Sequence, residues 1–234
     1  MIVIGCQIET TQDIVKNLNK VLNIIDNEKF DLCVFPELHL TSYDFDYIES
    51  LENNVIEKSL NKIKNKIKEN QLVVIGTVWD KYNSAAIISK EHILFYHKNT
   101  LTEEDAIFFK TGNDLKIIDF LGFKIGFIIC RDQDNIALIN SYKKKNLDIL
   151  IQLSAHFYAP HIAIKKLDKN IAMAIVRAID TGALIIKVNS VNYLNKKLSL
   201  GSSIIVNSKG LVLRQAVKND EEIFNFNTSE IGWS

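Results

Sequence analysis

Short apolar runs rich in β-branched residues recur along the chain, and this pattern predicts buried strands. Apolar residues at helical spacing lie between several of these runs, as in the stretch that carries Ile14, Leu18 and Val21 and again within residues 56–67. Alternating strands and amphipathic helices favour an α/β fold. The predicted buried strands cover residues 2–8, 31–37, 72–79, 123–129, 147–153 and 183–188.

The segments between and after these runs predict further elements. Residues 97–112 are mixed and charged, which indicates a long functional loop. A long helix is expected to begin near Pro160 and to end at Gly182, since glycine suits the left-handed conformation that closes a helix. The other predicted elements are an antiparallel pair at 84–89 and 93–96, a hairpin over 201–213 about residues 207–210, and a final strand at 222–226.

Polar residues at two strand ends are candidate helix caps. Thr10 or Thr11 is expected to cap the first helix, and Asp132 or Asp134 the helix that follows Cys130. A thiol between a strand end and a helix start would feel the positive end of the helix dipole, which favours the thiolate. The alternative is that Cys130 is inert, because free cysteine is among the most buried residue types.

Composition limits the classes of protein that fit. With 234 residues and 47% hydrophobic content, the chain is expected to fold as one domain over residues 1–234. Lys plus Arg and Asp plus Glu both number 28, so no basic excess attracts nucleic acid or an anionic membrane. Met1 leads directly into a strand-like run, and no apolar stretch is long enough to span a bilayer. Three unpatterned cysteines fit a reducing compartment, so we expect a cytoplasmic protein.

Three residues that could perform chemistry together, Glu37, Lys98 and Cys130, each follow an apolar strand directly. Such strand ends are expected to gather at one rim of a mixed sheet, where α/β proteins place their ligands. A carboxylate can take the thiol proton, an ammonium can stabilise an oxyanion, and the thiolate can attack a carbonyl carbon. Taken singly, each residue is as easily a surface charge or a packed thiol. Cys6 and Cys33 lie inside apolar runs, where packing is the expected role.

Metal and cofactor motifs are not evident in the sequence. The five histidines show no zinc-type spacing with cysteine or acidic residues, and no glycine-rich loop of the phosphate-binding type is present. We therefore expect a small-molecule substrate and no cofactor or metal.

The same residues carry a family resemblance. The chain resembles the nitrilase superfamily, the carbon-nitrogen hydrolases, whose hallmark is a Glu-Lys-Cys triad in that chain order. Residues 35–37 (Phe-Pro-Glu) are similar to the family's proline-glutamate motif, residues 96–98 (Tyr-His-Lys) to its lysine motif and residues 128–132 (Ile-Ile-Cys-Arg-Asp) to its nucleophile motif. Residues 177–189 resemble its helix end and the strand to an asparagine, and residues 201–210 resemble its terminal hairpin.

The resemblance implies an α/β fold of the four-layer αββα type, in which two mixed β-sheets lie between helical layers. It also implies cleavage of a non-peptide carbon-nitrogen bond in a small amide, N-carbamoyl compound or nitrile through a thioester, with release of ammonia or amine. By position, Glu37 is the general base, Lys98 the oxyanion stabiliser and Cys130 the nucleophile. The backbone N–H of Arg131 completes the oxyanion hole.

Further site residues follow from the resemblance. Many members use a second acid in the lysine loop, which is here either Asp105 or the adjacent Glu104. Arg131 stands where the family usually has an aromatic residue, and it could select an acidic amide or pair with a neighbouring aspartate at the surface. His156 and Tyr43 are candidate substrate-binding residues, although a solvated or capping histidine and an exposed loop tyrosine would need no function.

The favoured hypothesis is therefore a cysteine-dependent hydrolase. A non-catalytic binding protein with the same fold and an acyltransferase that uses the same thioester are the alternatives. The resemblance also implies a homodimer formed through the helices that flank the sandwich. The chain stops at Ser234 without the longer tail that often interlocks subunits in the family.

Overall fold

A computed structural model describes residues 1–230, and most of its strands form two six-stranded mixed sheets. Residues 231–234, which belong to the predicted domain, lie outside the described residues. The strands are β1 (Ile2–Gln7), β2 (Leu32–Val34), β3 (Leu72–Trp79), β4 (Tyr82–Ile88), β5 (Ile93–His97), β6 (Ile117–Phe120), β7 (Phe123–Ile129), β8 (Ile149–Ser154), β9 (Leu184–Asn189), β10 (Val191–Leu194), β11 (Lys197–Leu200), β12 (Ile204–Val206), β13 (Val212–Gln215) and β14 (Glu222–Asn227). The helices are α1 (Ile14–Asn27), α2 (Phe45–Ser50), α3 (Asn53–Lys66), α4 (Asp105–Phe108), α5 (Ile136–Lys143) and α6 (Pro160–Thr181), and the 3₁₀ segments are Cys130–Asp134 and Thr228–Glu230.

The two sheets have related strand orders. The first sheet runs β14-β1-β2-β3-β4-β5 and the second runs β13-β12-β9-β8-β7-β6, while β10 and β11 form a separate hairpin. β2 lies parallel between β1 and β3, with Cys33 opposite Ile4 and Val73. β8 lies parallel between β7 and β9, with Leu150 opposite Gly126 and Ile185. These parallel strands are nearly continuous apolar runs, because both of their faces are buried.

Three apolar layers hold the sheets and helices together. The layer between the sheets includes Val34, Tyr96, Phe127, Ile151 and Ile186, none of which is exposed. Residues of α1 and α3 pack on the outer face of the first sheet, and residues of α5 and α6 pack on the outer face of the second. Each fully buried aliphatic side chain contributes about 1.5–3 kcal/mol. The predicted α/β sandwich of four layers with two mixed sheets is confirmed.

The predicted cap of α1 is wrong. Asp13, rather than Thr10 or Thr11, caps this helix by accepting hydrogen bonds from Val15 N (3.0 Å) and Lys16 N (3.1 Å). The helix begins at Ile14, so only the residue directly before it can cap it.

The predicted cap of the helix after Cys130 is also wrong. A 3₁₀ segment occupies Cys130–Asp134, and α5 begins only at Ile136. Asn135 caps α5 by accepting a hydrogen bond from Leu138 N (3.0 Å). Cys130 therefore does not lie at the start of an α-helix, and the expected effect of a helix dipole on its thiol has no structural basis.

The long helix α6 is confirmed with both of its predicted ends. It begins at Pro160, and Gly182 closes it with φ of 70°. The elements that the pattern did not predict are α2, α4, β6 and the β10–β11 hairpin, which are short and carry few consecutive apolar residues. None of the helices in residues 1–230 has the length and apolar character needed to cross a bilayer.

Candidate active site

A buried lysine between two carboxylates forms the centre of the site. Lys98 Nζ donates to Glu37 Oε1 at 2.7 Å and to Asp105 Oδ2 at 2.7 Å. All three side chains are at most 1% exposed. We call Glu37, Lys98 and Asp105 the acid–ammonium cluster.

The turn that carries Glu37 depends on a glycine in the next strand. Pro36 follows β2 and cannot continue a sheet ladder, so the chain turns there. Gly76 in β3 donates its N–H to Pro36 O at 3.1 Å. A Cβ at this position would lie 2.2 Å from Leu38 N and 2.4 Å from Pro36 O. Glycine therefore lets the Glu37 turn lie directly against β3.

The two carboxylates of the cluster differ in electrostatics. Burial raises the pKa of Glu37, and the attraction of Lys98 only partly offsets this rise. For Asp105, the Lys98 ammonium and hydrogen bonds from Lys98, Tyr43 and Thr102 outweigh burial and hold the pKa below its usual value. Asp105 is therefore a permanent carboxylate, whereas Glu37 is suited to taking a proton.

The lysine of the cluster stays charged. Burial by itself would lower the pKa of Lys98, but the negative charges of neighbouring groups, led by Glu37, raise it well above its ordinary value. The backbone of Lys98 is also fixed, because its N–H donates to Asn83 O and its carbonyl accepts from Gly112 N, at 2.9 Å each.

Cys130 follows β7 directly and adopts φ of 45°, in the left-handed region. Non-glycine residues adopt this conformation rarely, and it turns the side chain out of the strand direction. Asp132 holds the turn, since its carboxylate accepts from Ile129 N at 2.9 Å and from the Tyr96 hydroxyl at 2.7 Å. The same carboxylate accepts from Asn99 N at 3.0 Å, so it links the Cys130 turn to the loop that follows Lys98.

The Cys130 thiol is protonated at neutral pH. Burial raises its pKa, and so does the charge of Glu37, whereas Lys98 and Lys187 act in the opposite direction. The prediction that the fold itself favours the thiolate is therefore wrong. A thiol in this state becomes a nucleophile only after a base removes its proton.

The prediction that the three residues share the rim of one sheet is also wrong. Glu37 follows β2 and Lys98 follows β5, both in the first sheet, whereas Cys130 follows β7 in the second. The two sheets pack face to face, so their strand ends come together across the interface rather than along one edge.

A pocket of about 560 Å³ opens beside Cys130. This volume is typical of sites for small molecules. The predicted substrate-binding residues Arg131, Tyr43 and His156 all line it. Charged residues of the loop after Lys98 and of α6 line it as well, namely Glu103, Glu104, Lys166 and Lys169.

Of Glu104 and Asp105, the two candidates for the second acid, only Asp105 contacts Lys98. Glu104 lies at the surface in an ion pair with Lys197, with a shortest distance of 2.7 Å. The hydroxyl of Tyr43 donates to Asp105 Oδ1 at 2.7 Å, so Tyr43 joins the pocket to the acid–ammonium cluster.

Arg131 and His156 have groups available to a ligand. Arg131 is exposed and makes no hydrogen bond or ion pair within residues 1–230, so the predicted pairing with a neighbouring aspartate does not form. His156 is 6% exposed, and its Nε2 is buried without a partner in the same residues. Burial lowers the pKa of His156 well below its usual value, so the ring is neutral.

The sequence pattern did not single out Lys187 and Gln133, which contact each other in the structure, with Lys187 Nζ donating to Gln133 Oε1 at 3.3 Å. Lys187 is a charged residue in an apolar run, and that exception was the available signal. No feature of the sequence distinguishes Gln133, since a glutamine three residues after the cysteine is equally consistent with a solvated turn.

Within residues 1–230, no three His, Cys, Asp or Glu side chains come close enough to hold a metal ion.

Comparison with known proteins gives one family match and three similar proteins. The sequence profile described as Carbon-nitrogen hydrolase matches residues 3–226. The chain is 25% identical over 214 residues to a glutamine-dependent NAD(+) synthetase of Acinetobacter baylyi, covering 86% of this chain and 38% of the synthetase. The solved structure of glutamine-dependent NAD+ synthetase from Acinetobacter baumannii matches at a TM-score of 0.87 and 21% identity, covering 98% of this chain and 46% of that one. The solved structure of an amidase from Nesterenkonia sp. matches at a TM-score of 0.82 and 13% identity, covering 96% of this chain and 89% of the amidase chain.

These matches differ in extent. The chain spans 38 to 40% of the length of the curated synthetases it resembles, whereas it covers 89% of the amidase chain. The likeness to the solved structures, at 21% and 13% identity, concerns the fold alone.

Proposed function

Because the chain belongs to the carbon-nitrogen hydrolase family, we propose that it hydrolyses a small amide through a thioester on Cys130. The observation that carries this proposal is the contact of one buried ammonium, Lys98, with both Glu37 and Asp105 beside the Cys130 turn. Burying three charges has a desolvation cost of several kcal/mol per ion. A cluster of this composition is typical of a site that moves a proton and stabilises an oxyanion.

Glu37 is the general base of the proposed mechanism. Its Oε1 is held by Lys98 and Asn83, whereas Oε2 is buried without a partner in residues 1–230 and is free to accept the thiol proton. The raised pKa of Glu37 suits this transfer, because the pKa of the Cys130 thiol is itself raised. The sulfur then bonds to the amide carbon, and the carbonyl π electrons move onto the oxygen.

Two donors stabilise that oxygen: the ammonium of Lys98 and the backbone N–H of Arg131. Collapse of the tetrahedral intermediate breaks the C–N bond, and the nitrogen leaves as ammonia or amine with the proton that Glu37 carried. Water, deprotonated by Glu37, then attacks the thioester carbon. The C–S bond breaks, the acid leaves, and the sulfur regains its proton. Asp105 takes no proton but keeps Lys98 charged and in place.

Glutamine is the first substrate candidate. The three curated relatives are glutamine-dependent NAD(+) synthetases. The pocket carries both signs of charge, with Arg131 and Lys166 opposed by Glu103, which fits a substrate with a carboxylate and an ammonium. An acidic amide or a carbamoyl amino acid without a free ammonium is the second candidate, favoured by the unpaired guanidinium of Arg131.

The test is ammonia release from a panel of glutamine, monoamides of dicarboxylic acids, carbamoyl amino acids and nitriles. We expect Cys130→Ala to lose at least about 10³-fold in rate, as removal of a nucleophile does elsewhere. Cys6→Ala is the matched control, because Cys6 is buried away from the pocket, and it should retain activity. Full turnover by Cys130→Ala would refute the assignment.

The same panel separates the alternatives. A non-catalytic binding protein would release no ammonia from any compound. An acyltransferase would transfer the acyl group to an added amine, such as hydroxylamine, faster than to water.

The homodimer stays a prediction, and light scattering that detects only monomer would contradict it.

A further inference from the structure

A second buried lysine lies behind the pocket, in the middle of β9. Lys187 is 2% exposed, and its neighbours in the strand are apolar. Its Nζ donates to the backbone carbonyl of Asn170 in α6 at 2.9 Å and to Gln133 Oε1 at 3.3 Å. Within residues 1–230 no carboxylate lies in ion-pair distance of this ammonium. An apolar side chain would fill the same strand position without the cost of desolvating a charge.

Gln133 connects this lysine to the nucleophile. It is part of the 3₁₀ segment Cys130–Asp134, and its backbone carbonyl accepts from Arg177 Nε at 2.6 Å. Its Oε1 accepts from Gln152 Nε2 at 2.9 Å as well as from Lys187. Gln152 Nε2 also lies 3.4 Å from the carbonyl oxygen of Cys130. The segment that presents the thiol is therefore tied to β8 and β9 through the Gln133 side chain and to α6 through the Gln133 carbonyl.

Lys187 is also close to the pocket wall. With His156 and Asn189 it lines a cavity of about 10 Å³, which shares His156, Tyr158 and Asn170 with the main pocket. The buried and unpartnered Nε2 of His156 belongs to this shared wall. The lysine thus lies one layer of side chains from the space that the substrate would occupy.

The charges around Lys187 come from several elements. Burial lowers its pKa to about 7, while Cys130 and Asp134 of the 3₁₀ segment raise it and Lys169 of α6 lowers it. His156, which follows β8, is neutral. In return, the Lys187 ammonium lowers the pKa of the Cys130 thiol. The lysine is therefore charged at pH 6 and largely neutral at pH 8.

We propose that Lys187 is a positioning residue for the nucleophile: through Gln133 it holds the Cys130–Asp134 segment in place, and in its protonated form it favours the Cys130 thiolate. This inference rests on the proposed function, in which Cys130 attacks the substrate. It adds a second cation near the site, on a strand of the second sheet.

The test is the rate of Cys130 alkylation by iodoacetamide, followed by intact mass and peptide mapping from pH 6 to pH 8.5. The variants are Lys187→Met, which removes charge and hydrogen bonds, and Gln133→Leu, which keeps the lysine but breaks its link to the segment. The double variant is measured as well, with thermal melting as a check on folding.

At pH 6 we expect Lys187→Met to react roughly tenfold more slowly than wild type, which corresponds to about one unit of thiol pKa. The ratio of wild-type to variant rate should fall as the pH rises through about 7, because Lys187 loses its charge there. Gln133→Leu should slow alkylation at every pH, and the double variant should be slower by less than the product of the two single effects.

Other outcomes overturn the inference. A constant ratio between wild type and Lys187→Met across the pH range would leave Lys187 with a purely structural role. Multiplicative effects in the double variant would show that Lys187 does not act through Gln133. If Lys187→Met does not fold, Gln133→Leu still tests the link, because wild-type alkylation rates in that variant would contradict it. Wild type without preferential Cys130 labelling would instead refute the proposed function, and the inference with it.

Discussion

Each of the two sheets buries a lysine near the pocket, but within residues 1–230 only Lys98, of the first sheet's side, is paired with carboxylates. On the first-sheet side, Lys98 contacts Glu37 and Asp105 at 2.7 Å each. On the second-sheet side, Lys187 contacts an amide oxygen and a backbone carbonyl. The pKa of Lys98 is raised well above its usual value, whereas the pKa of Lys187 is lowered to about 7.

This contrast shows that burial alone does not decide the charge of a lysine. Both side chains are at most 2% exposed, so desolvation acts strongly on each. The pKa values of the two lysines differ because the carboxylates of Glu37 and Asp105 stabilise the charge of Lys98. Lys98 on the first-sheet side is therefore a permanent positive charge, and Lys187 on the second-sheet side carries a charge that varies near neutral pH.

The largest effect is expected when the ammonium that pairs with Glu37 and Asp105 is removed. Lys98→Met leaves Glu37 and Asp105 buried without their cation, which should lower the free energy of unfolding by about 3–5 kcal/mol. It should also reduce amide hydrolysis below detection, because the oxyanion loses its charged donor. Urea denaturation and ammonia release measure the two effects.

The control for that variant is Lys197→Met, which breaks an exposed ion pair with Glu104. Its free energy of unfolding should change by only about 0–1 kcal/mol. If Lys98→Met proved no more destabilising than Lys197→Met, the buried cluster would not be held together by this ammonium.

A smaller effect is expected when one negative charge of the acid–ammonium cluster is removed. Asp105→Asn keeps the shape of the side chain but removes the carboxylate on Lys98, so the rate of hydrolysis should fall by about 10–100-fold, the equivalent of one charge-assisted hydrogen bond. Glu104→Gln is the comparison variant, because the Glu104 carboxylate lines the pocket and pairs with Lys197 but makes no contact with Lys98. Equal losses in both variants would contradict the different roles of these neighbouring acids.

The smallest effect concerns stability on the second-sheet side. Lys187 has a pKa of about 7 in the folded chain and about 10.4 when unfolded, so the unfolded state binds more protons between these values. The free energy of unfolding of wild type should therefore rise relative to Lys187→Met as the pH increases, by about 1 kcal/mol from pH 7.5 to pH 8.5. Parallel pH profiles for the two proteins would show that Lys187 is charged throughout.

The same contrast explains what the sequence could predict. The central strands were recognisable because buried parallel strands such as β3 and β8 are continuous apolar runs. The four-layer fold followed from the resemblance, and the order Glu37, Lys98, Cys130 indicated a nucleophilic site. These features depend on local pattern and chain order, which a sequence displays directly.

The features that the sequence could not predict depend on three-dimensional packing. Asp105 and Glu104 are adjacent, and only the backbone course around α4 turns one inward and the other to solvent. Lys187 lies in a run whose apolar neighbours hide its position beside the nucleophile segment. The position of Cys130 in a different sheet from Glu37 and Lys98 depends on how the strands assemble, which spacing along the chain does not encode.

The central claim is that Cys130 is the nucleophile, and stepwise alkylation tests it most directly. Chloroacetamide is an electrophilic amide, so it should label Cys130 while the fully buried Cys6 and Cys33 stay free. Peptide mapping and ammonia release from the same samples give the labelled fraction and the residual activity. Activity should fall in proportion to Cys130 labelling and reach zero at one label per chain. Undiminished hydrolysis by a chain fully alkylated at Cys130 would contradict it.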